Sequence, residues 1–414
     1  MEGFCFAALE VVDRLAFVQN TNNTPINLQL RRDLVRIIKR GHAWVYADAL
    51  RDKPDAPPGS HAILHDNRGG REIARGFYDP KGAISLRIAS TERGKPLDDR
   101  WAEMGMVAAM AIRAQLFDQR TTAYRLFNGE GDGLPGLVCD IFGRAAVLMA
   151  DGPAARAFWD LQGIAAWLAD KLALQCVYER FREQSRGRGQ ALIGDPPTSP
   201  VHFFENGLQF TANLVDGQKT GFFLDQRENR QRIVPFSMGA RVLNVFGYTG
   251  GFSVFAGMGG AQHVTTVDRA KPALEAAEEH WRLNKLAPDI HTTIAAEAFE
   301  WLHDAVRRDE QWDLVILDPP SFAASKKVLP QAHKAYRTLI AAGAKVTAPG
   351  GRLAISSCSS HVDRQTFLGL CEDGISQAHL WARIFGMFGQ PGDHPAPLVM
   401  PELQYLKFAI LQLF

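Results

Sequence analysis

Cysteine is scarce in this chain of 414 residues, which has five, at positions 5, 139, 176, 358 and 371. An odd number at irregular spacing argues against a disulfide framework and against a CxxC metal site. We therefore expect no structural metal and a reducing environment. Four of the five are interpreted without a role; Cys358 is considered below.

Long apolar runs are also lacking. No run approaches the roughly 18 residues that a membrane-spanning helix needs. The first 27 residues, which end in NTNNTPIN, show neither the basic start nor the cleavable apolar stretch of a secretory signal. We interpret residues 1–27 as an extension and expect a cytoplasmic protein with no membrane partner.

Net charge is nearly absent as well, at +1 for the whole chain. Charge is nevertheless uneven, because Arg31 to Lys53 contains seven Lys or Arg residues against three Asp. The length exceeds what one compact core usually holds and predicts two or three domains.

The first part of the chain has β-type and then mixed patterns. From Leu28 to about Ser90, short runs such as HAILHD and AISLRIAS between Gly and Pro residues predict a small all-β barrel. A helix is predicted over Arg100 to Leu116, then a Gly-rich loop and two strands, then a helix over about Ala155 to Leu172. VHFFENGLQFTANL predicts a hairpin whose turn is Asn206-Gly207, since both residues tolerate positive φ.

After Leu224, apolar strands alternate with amphipathic helices. The strands are ARVLNVF, HVTTVD, DLVILD and GRLAIS, and the pattern predicts a parallel sheet covered on both faces. The final YLKFAILQLF is interpreted as an antiparallel edge strand. Ligands of such sheets bind at the carboxyl ends of the strands, so the residues that follow each strand are candidates for function.

In NVFGYTGGFSVFAG, after the first strand, Gly247, Gly250 and Gly251 allow close approach of a ligand, but there is no G-x-G-x-x-G cradle for a diphosphate. Asp268 ends the second strand, where its carboxylate could accept ribose hydroxyls. A nucleoside-bearing ligand without a diphosphate, such as S-adenosylmethionine, fits both features. Glu297, after the third strand, could reach the adenine edge. The alternative is that these glycines are only turn residues.

The motif LVILDPPSF begins within a fourth strand, when the strand before Glu297 is counted as the third. Asp318 ends the apolar run, and Pro319-Pro320 fixes an extended loop that cannot continue as a helix. A carboxylate held rigidly at a strand end suits the polar edge of a planar base, with Phe322 as the aromatic residue beside it. Alternatively, Asp318 is an ordinary helix cap.

From about residue 28 to its C-terminal end the chain resembles the bacterial large-subunit ribosomal RNA cytosine-C5 methyltransferases that carry an N-terminal PUA domain. The matching segments are RIIKRGHAWVYADAL, NGEGDGLPGLVCDIFG, GQKTGFFLDQRENR, LNVFGYTGGFSV, TTVDRA, LDPPSF, SCSS and DHP. Two features depart from the family: Glu297 replaces the usual Asp, and FREQSRGRGQALIGD is unlike most relatives.

The resemblance implies an α/β protein with a PUA barrel at 28–98, a small α/β middle domain at 99–200 and a class I methyltransferase domain with a mostly parallel seven-stranded sheet at 201–414, including the hairpin at 201–214. It implies S-adenosylmethionine as cofactor and large-subunit ribosomal RNA as partner. The implied cofactor residues are Phe246, Gly247, Tyr248, Thr249, Gly250, Asp268, Arg269, Glu297, Asp318, Pro319 and Gln226.

The chemistry accounts for a thiol in SSCSSHV. Cytosine C5 is too weak a nucleophile to take a methyl group directly, so a thiolate must first add to C6. Cys358 follows the fifth strand and Asp318 the fourth, so one flipped base could meet both, and we predict both as catalytic residues. Without this context, a lone cysteine is more often a small buried residue.

Basic and aromatic residues predict RNA contacts. The candidates are Arg36, Lys39, Arg40, Trp44, Lys219, Arg227 and Phe322. A charge run is otherwise an ordinary solvated face, and Gln226 and Arg230 could equally be surface residues of an amphipathic helix.

Two other functions remain open. A guanine-directed ribosomal RNA methyltransferase shares the DPPSF-type loop but needs no thiol, and a non-catalytic RNA-binding assembly factor needs no cofactor. The sequence also leaves open whether the protein is a monomer or a homodimer.

Overall fold

A computed structural model describes residues 15–21, 23–181, 187–323 and 325–414. Cys5 and residues 182–186 of the departing segment lie outside the described residues. Across the described ranges, none of the helices combines the length and the apolar character needed to cross a membrane. The chain forms two compact units, the first made of residues 1–201, 212–222 and 395–399, and the second of residues 202–211, 223–394 and 400–414.

The first unit begins with a five-stranded sheet, which confirms the predicted all-β module. Its strand order is β1-β3-β4-β5-β2, with β1 parallel to β3 and the other pairs antiparallel. The elements are β1 (Ile26–Gln29), α1 (Val35–Lys39), β2 (Trp44–Tyr46), β3 (His61–His65), β4 (Glu72–Tyr78) and β5 (Ile84–Ser90). β1 starts inside the segment interpreted as an extension. β4 was not predicted, because its residues show no alternation of apolar and polar side chains.

A second five-stranded sheet follows, in the order β10-β9-β8-β7-β6. Its elements are α2 (Asp99–Leu116), β6 (Ala123–Asn128), β7 (Leu137–Phe142), β8 (Ala145–Ala150), α3 (Pro153–Phe158), α4 (Leu161–Leu172), β9 (Cys176–Arg180) and β10 (Gly189–Ile193). The single helix predicted over Ala155 to Leu172 is wrong. Trp159 is extended, and the Asp160 carboxylate accepts from the Gly163 N–H at 3.1 Å, so a second helix starts there.

Part of the N-terminal segment belongs to the core of this second sheet. Phe17 and Val18 are buried among its apolar residues, and Val18 forms an isolated β-bridge with Trp159. The Asp99 carboxylate accepts from the Phe17 N–H at 2.7 Å. Phe17 and Val18 of the predicted extension are therefore part of the folded core.

The predicted hairpin is confirmed as β11 (Val201–Glu205) and β12 (Leu208–Ala212). Asn206 and Gly207 have φ of 52° and 84°, the left-handed conformations that a two-residue turn of this kind needs.

The second unit contains the predicted strand-helix alternation. Its sheet has seven strands in the order β15-β14-β13-β16-β17-β19-β18. The elements are α5 (Arg227–Ile233), β13 (Arg241–Val245), α6 (Gly251–Met258), β14 (His263–Asp268), α7 (Lys271–Leu283), β15 (His291–Ala295), α8 (Ala298–Arg307), β16 (Trp312–Leu317), α9 (Leu329–Lys345), β17 (Thr347–Ser357), α10 (Arg364–Gln377), β18 (Ala382–Phe388) and β19 (Lys407–Leu413).

The first five of these strands are parallel, and β19 is antiparallel to both β17 and β18. The prediction that the last strand lies at the edge is wrong, because β18 covers it. β18 escaped prediction because Arg383, Ile384 and Phe385 are consecutive exposed residues that break the alternation of a half-buried strand.

Candidate active site

The carboxyl ends of four strands meet at one edge of the seven-stranded sheet. Val245 at the end of β13 pairs with Val267 of β14 and with Leu317 of β16, and Leu317 pairs with Ile355 of β17. The residues that follow these strands therefore lie side by side, as the parallel topology predicts.

Asp318 is held in place from two directions. The Gln226 amide donates to its Oδ1 at 2.9 Å, and the Ser356 hydroxyl donates to the same oxygen. Gln226 is only 2% exposed, and its own carbonyl oxygen accepts from the Asn229 amide at 2.7 Å, which fixes its orientation. The structure thus places Gln226 as a support for Asp318.

The alternative that Asp318 is an ordinary helix cap is wrong. The next α-helix, α9, has Val328 at its N-cap, ten residues further on. Pro319 is buried directly after Asp318, so the carboxylate stands at the start of a rigid loop.

Cys358 follows the last residue of β17 and is half-buried between buried serines. Tyr336 of α9 donates to Ser357 Oγ at 2.8 Å and lies 3.2 Å from Ser359 Oγ, which in turn lies 3.0 Å from Ser321 Oγ. Burial, aided by Cys358 and Asp318, raises the pKa of Tyr336 despite these hydrogen bonds. The phenol therefore keeps its proton and anchors the Cys358 turn.

The loop after β13 has an unusual backbone. Phe246, Tyr248 and Gly250 have φ of 60°, 47° and 72°, a region that residues with a side chain enter at a cost. The Asp268 carboxylate stabilises this conformation by accepting from the N–H groups of Tyr248 and Ala270, each at 2.9 Å. Asp268 thus joins the loop to the end of β14.

His280 was missed by sequence reasoning, because its partners are remote in sequence and nothing marks it among the residues of an amphipathic helix. Its Nε2 accepts from the Thr211 N–H at 3.0 Å, so its Nδ1 carries the hydrogen and donates to the Thr249 carbonyl at 2.8 Å. Burial lowers the pKa of His280, against the raising effect of these hydrogen bonds. A neutral imidazole therefore fastens the loop after β13 to β12.

These residues fit a nucleoside-bearing cofactor. Each Asp268 oxygen uses one acceptor site for a backbone N–H and retains a second for a ribose hydroxyl. Glu297 is exposed but also caps α8, with its Oε2 accepting from the Glu300 N–H at 2.9 Å, and Arg269 is exposed. The position of Asp268 therefore supports a contact with ribose, whereas the position of Glu297 gives weaker support for a contact with adenine.

Comparison with known proteins decides the family. Residues 152–379 match the family described as S-adenosylmethionine-dependent methyltransferase, and residues 28–91 match a PUA-like domain. The chain belongs to this family of S-adenosylmethionine-dependent methyltransferases. S-adenosylmethionine is accordingly its cofactor, as the sequence predicts.

Individual relatives agree with this assignment. The ribosomal RNA large subunit methyltransferase of Deinococcus radiodurans is 37% identical over 391 residues, covering 91% of this chain and 94% of the relative. Ribosomal RNA large subunit methyltransferase I of Photobacterium profundum is 34% identical, covering 89% and 95%. The crystal structure of SMU.776 complexed with SAH has a TM-score of 0.82 at 25% identity and covers 94% of this chain and 100% of that chain.

Four of the predicted RNA-binding residues of the methyltransferase lie in the first unit, in or directly after α1 and at the start of β2. Arg36, Lys39 and Arg40 are exposed. Trp44 is half-buried, and its indole N–H donates to Glu130 Oε1 at 2.7 Å. A basic exposed surface therefore flanks a fixed aromatic ring. Lys219, also in the first unit, is exposed.

Arg227 is placed differently from the prediction. It is buried, and it donates to Asp393 Oδ1 at 2.5 Å. Burial disfavours the ionised Asp393, but His394 and Arg227 hold its pKa below the usual range. The guanidinium is directed at an internal carboxylate, which argues against a phosphate contact.

Arg230, like Gln226, is a residue for which a surface position is the alternative. Arg230 is buried and forms a bidentate ion pair with Glu205, with both distances 2.6 Å. Gln226 is buried as well, so the alternative that Gln226 and Arg230 are surface residues is wrong.

Phe322 is the last predicted RNA-binding residue. It is half-buried, with its ring centroid 4.9 Å from that of Tyr336, close to the Cys358 turn. Phe322 therefore remains a candidate for base contact.

Proposed function

We propose that this methyltransferase modifies C5 of a cytosine in large-subunit ribosomal RNA, through a covalent bond between Cys358 and C6. The relatives from Deinococcus radiodurans and Photobacterium profundum are named large-subunit ribosomal RNA methyltransferases, which supports the substrate class. A ribosomal RNA substrate also favours the predicted cytoplasmic location.

The reaction divides into two halves. In the first, the Cys358 thiolate forms a bond to C6 of the flipped cytosine and makes C5 electron-rich. Bound S-adenosylmethionine supplies an electrophilic methyl group on a sulfonium, which C5 takes as the carbon–sulfur bond breaks. In the second, a base removes the C5 proton, the bond between Cys358 and C6 breaks, and the thiolate returns.

The observation that carries this proposal is the hydrogen bond from Ser356 to Asp318. It ties the end of β17 to the end of β16, two residues before Cys358. A cytosine that enters between these strand ends could donate a hydrogen bond from its N4 amino group to the Asp318 carboxylate while its C6 faces the thiol. Guanine chemistry needs no such thiol, because its nitrogen is already nucleophilic.

The test compares Cys358→Ala with the unchanged protein. We expect Cys358→Ala to abolish methylation of ribosomal RNA, measured by mass mapping of RNA from cells that lack the native protein. RNA containing 5-fluorocytosine should also trap the unchanged protein covalently, because fluorine cannot leave as the C5 proton does, and Cys358→Ala should form no adduct.

Full methylation by Cys358→Ala, or a product methylated on guanine, would overturn the cytosine proposal and favour the guanine-directed alternative. The non-catalytic assembly factor predicts a protein without cofactor binding, which membership of this methyltransferase family argues against.

A further inference from the structure

A buried lysine lies beside the Cys358 turn. Lys407, the first residue of β19, pairs with Ser357 of β17 and is only 4% exposed. Its Nζ donates to the carbonyl oxygens of Ser359 at 2.6 Å and Tyr405 at 2.7 Å. One ammonium group therefore joins the residue after Cys358 to the start of the neighbouring strand.

The surroundings of Lys407 leave its charge largely uncompensated. Among the residues that the structure describes, both hydrogen-bond acceptors of Lys407 are backbone carbonyls and not carboxylates. The titratable groups that face it are Cys358 and Asp363, and Tyr336 of α9 reaches the same turn through Ser359. Asp363 is exposed and caps α10 by accepting from the Thr366 N–H at 2.7 Å. Water therefore screens the charge of Asp363, whereas the half-buried Cys358 thiol is screened less.

Burial is the main influence on Lys407 itself. It lowers the pKa of Lys407 to about 8, while Cys358 and Asp363 act in the raising direction. At neutral pH the group is still mostly an ammonium. Carbonyl oxygens hold an ammonium in place without cancelling its charge, so a positive charge persists at the Cys358 turn.

We propose that Lys407 is a positioning residue for Cys358: its ammonium fixes the Cys358 turn and stabilises the thiolate. The thiol proton passes to solvent, and Lys407 keeps its own three hydrogens. The catalytic consequence rests on the proposed cytosine chemistry, but the effect on the thiol does not require RNA.

The test measures the rate at which iodoacetamide alkylates Cys358 between about pH 6 and 10, a range that spans the titration of thiols and of Lys407. Peptide mass mapping separates Cys358 from the other cysteines. Lys407→Gln can still donate to the carbonyls but carries no charge, Lys407→Arg keeps the charge, and Lys345→Met removes an exposed lysine as a matched control.

We expect Lys407→Gln to move the pH midpoint of Cys358 alkylation upward by about one unit or more, as loss of a nearby opposite charge does. Lys407→Arg and Lys345→Met should stay within a few tenths of the unchanged protein. A purely structural Lys407 would give the same midpoint in Lys407→Gln as in Lys407→Arg, and that result would overturn the proposal.

The two proposals fail separately. If Cys358→Ala still methylates RNA, the cytosine proposal fails, whereas the alkylation midpoints still decide the role of Lys407. If Lys407→Gln leaves the midpoint unchanged while Cys358→Ala is inactive, only the role of Lys407 is rejected. Should Lys407→Gln not fold, an unchanged midpoint for Lys407→Met in the folded fraction would equally reject it.

Discussion

The Gln226 amide donates to the Asp318 carboxylate across 92 residues of chain, at 2.9 Å. Asp318 follows β16 and Gln226 directly precedes α5, so this contact makes the position of the predicted base-binding carboxylate depend on a helix that is distant in sequence.

Gln226→Met should therefore lower methylation. The substitution keeps the volume but removes the donor to Asp318. It also leaves the buried Asn229 amide with a long 3.5 Å contact to the Gly389 carbonyl in place of its 2.7 Å bond, which should lower stability by about 1–3 kcal/mol. We expect kcat to fall by about tenfold or more with KM for S-adenosylmethionine little changed. Steady-state kinetics with Gln262→Met, an exposed glutamine, as control measures this. A rise of about tenfold in the KM for S-adenosylmethionine would instead support Gln226 as a cofactor ligand.

Asp268→Asn should weaken cofactor binding. The Asp268 carboxylate accepts two backbone N–H groups, whereas an amide would direct its own N–H groups at one of them. We expect the Kd for S-adenosylhomocysteine to rise at least tenfold, or about 1.4 kcal/mol, in calorimetric titration. Asp289→Asn, an exposed carboxylate, is the matched control; unchanged affinity in Asp268→Asn would contradict the assigned site.

Arg227→Met should lower stability. It removes one of the two groups that hold the buried Asp393 ionised and leaves His394, and loss of one partner of a buried ion pair typically costs about 3–5 kcal/mol. Denaturant unfolding measures this directly. If instead RNA affinity drops while the free energy of unfolding is unchanged, the predicted phosphate contact is supported.

The same ion pair has a pH signature. The pKa of Asp393 is depressed in the folded protein, so the carboxylate contributes stability above its unfolded pKa of about 3.9 and loses it as pH falls further. In Arg227→Met, acid unfolding should begin at a higher pH than in the unchanged protein. Circular dichroism during acid titration tests this.

His280 should make cofactor binding sensitive to mild acid. The pKa of His280 is lowered by burial, so the unfolded chain binds a proton that the folded chain does not, and stability falls as pH drops below about 6.5. A protonated ring also could not accept from the Thr211 N–H. We expect affinity for S-adenosylhomocysteine to decline as pH falls through the lowered pKa of the folded His280, which lies below 6.5.

The variant His280→Gln lacks this titration, so its affinity for S-adenosylhomocysteine should be lower at neutral pH and flatter with pH. His263→Gln, a half-buried histidine of the same unit, serves as control. Parallel pH profiles for the unchanged protein and His280→Gln would refute the role of His280.

The basic surface beside α1 should contribute to RNA affinity through charge. Lys39→Gln and Arg40→Gln remove exposed cations, and each should reduce the slope of log affinity against log salt by up to about 0.9. Filter binding at several salt concentrations measures the slope. Lys285→Gln, an exposed lysine of the second unit, is the comparison; equal slopes in all variants would place the RNA elsewhere.

Much of the second unit was predictable because its signals are local. One apolar strand ends at Asp268, and two others end one residue before Asp318 and Cys358, and parallel topology then brings these ends together. Such a pattern needs no knowledge of distant contacts.

The missed features depend on residues that are far apart in sequence. Arg227 and Arg230 look like surface residues until Asp393 and Glu205, 166 and 25 residues away, are brought to them. Lys407 begins a strand otherwise rich in apolar residues, and only the pairing of β19 with β17 places it at the Cys358 turn. Pattern alone cannot supply such partners.

The seating of Phe17 and Val18 in the core of the second sheet bears on where this protein can be cut. A shortened version starting at Leu28, where the PUA-like match begins, would remove two buried side chains and uncover Trp159 and Trp167 beneath them. Proteolysis or truncation that removes Phe17 and Val18 would therefore expose aromatic surface and promote aggregation, even where the PUA-like sheet, including all of β1, is kept.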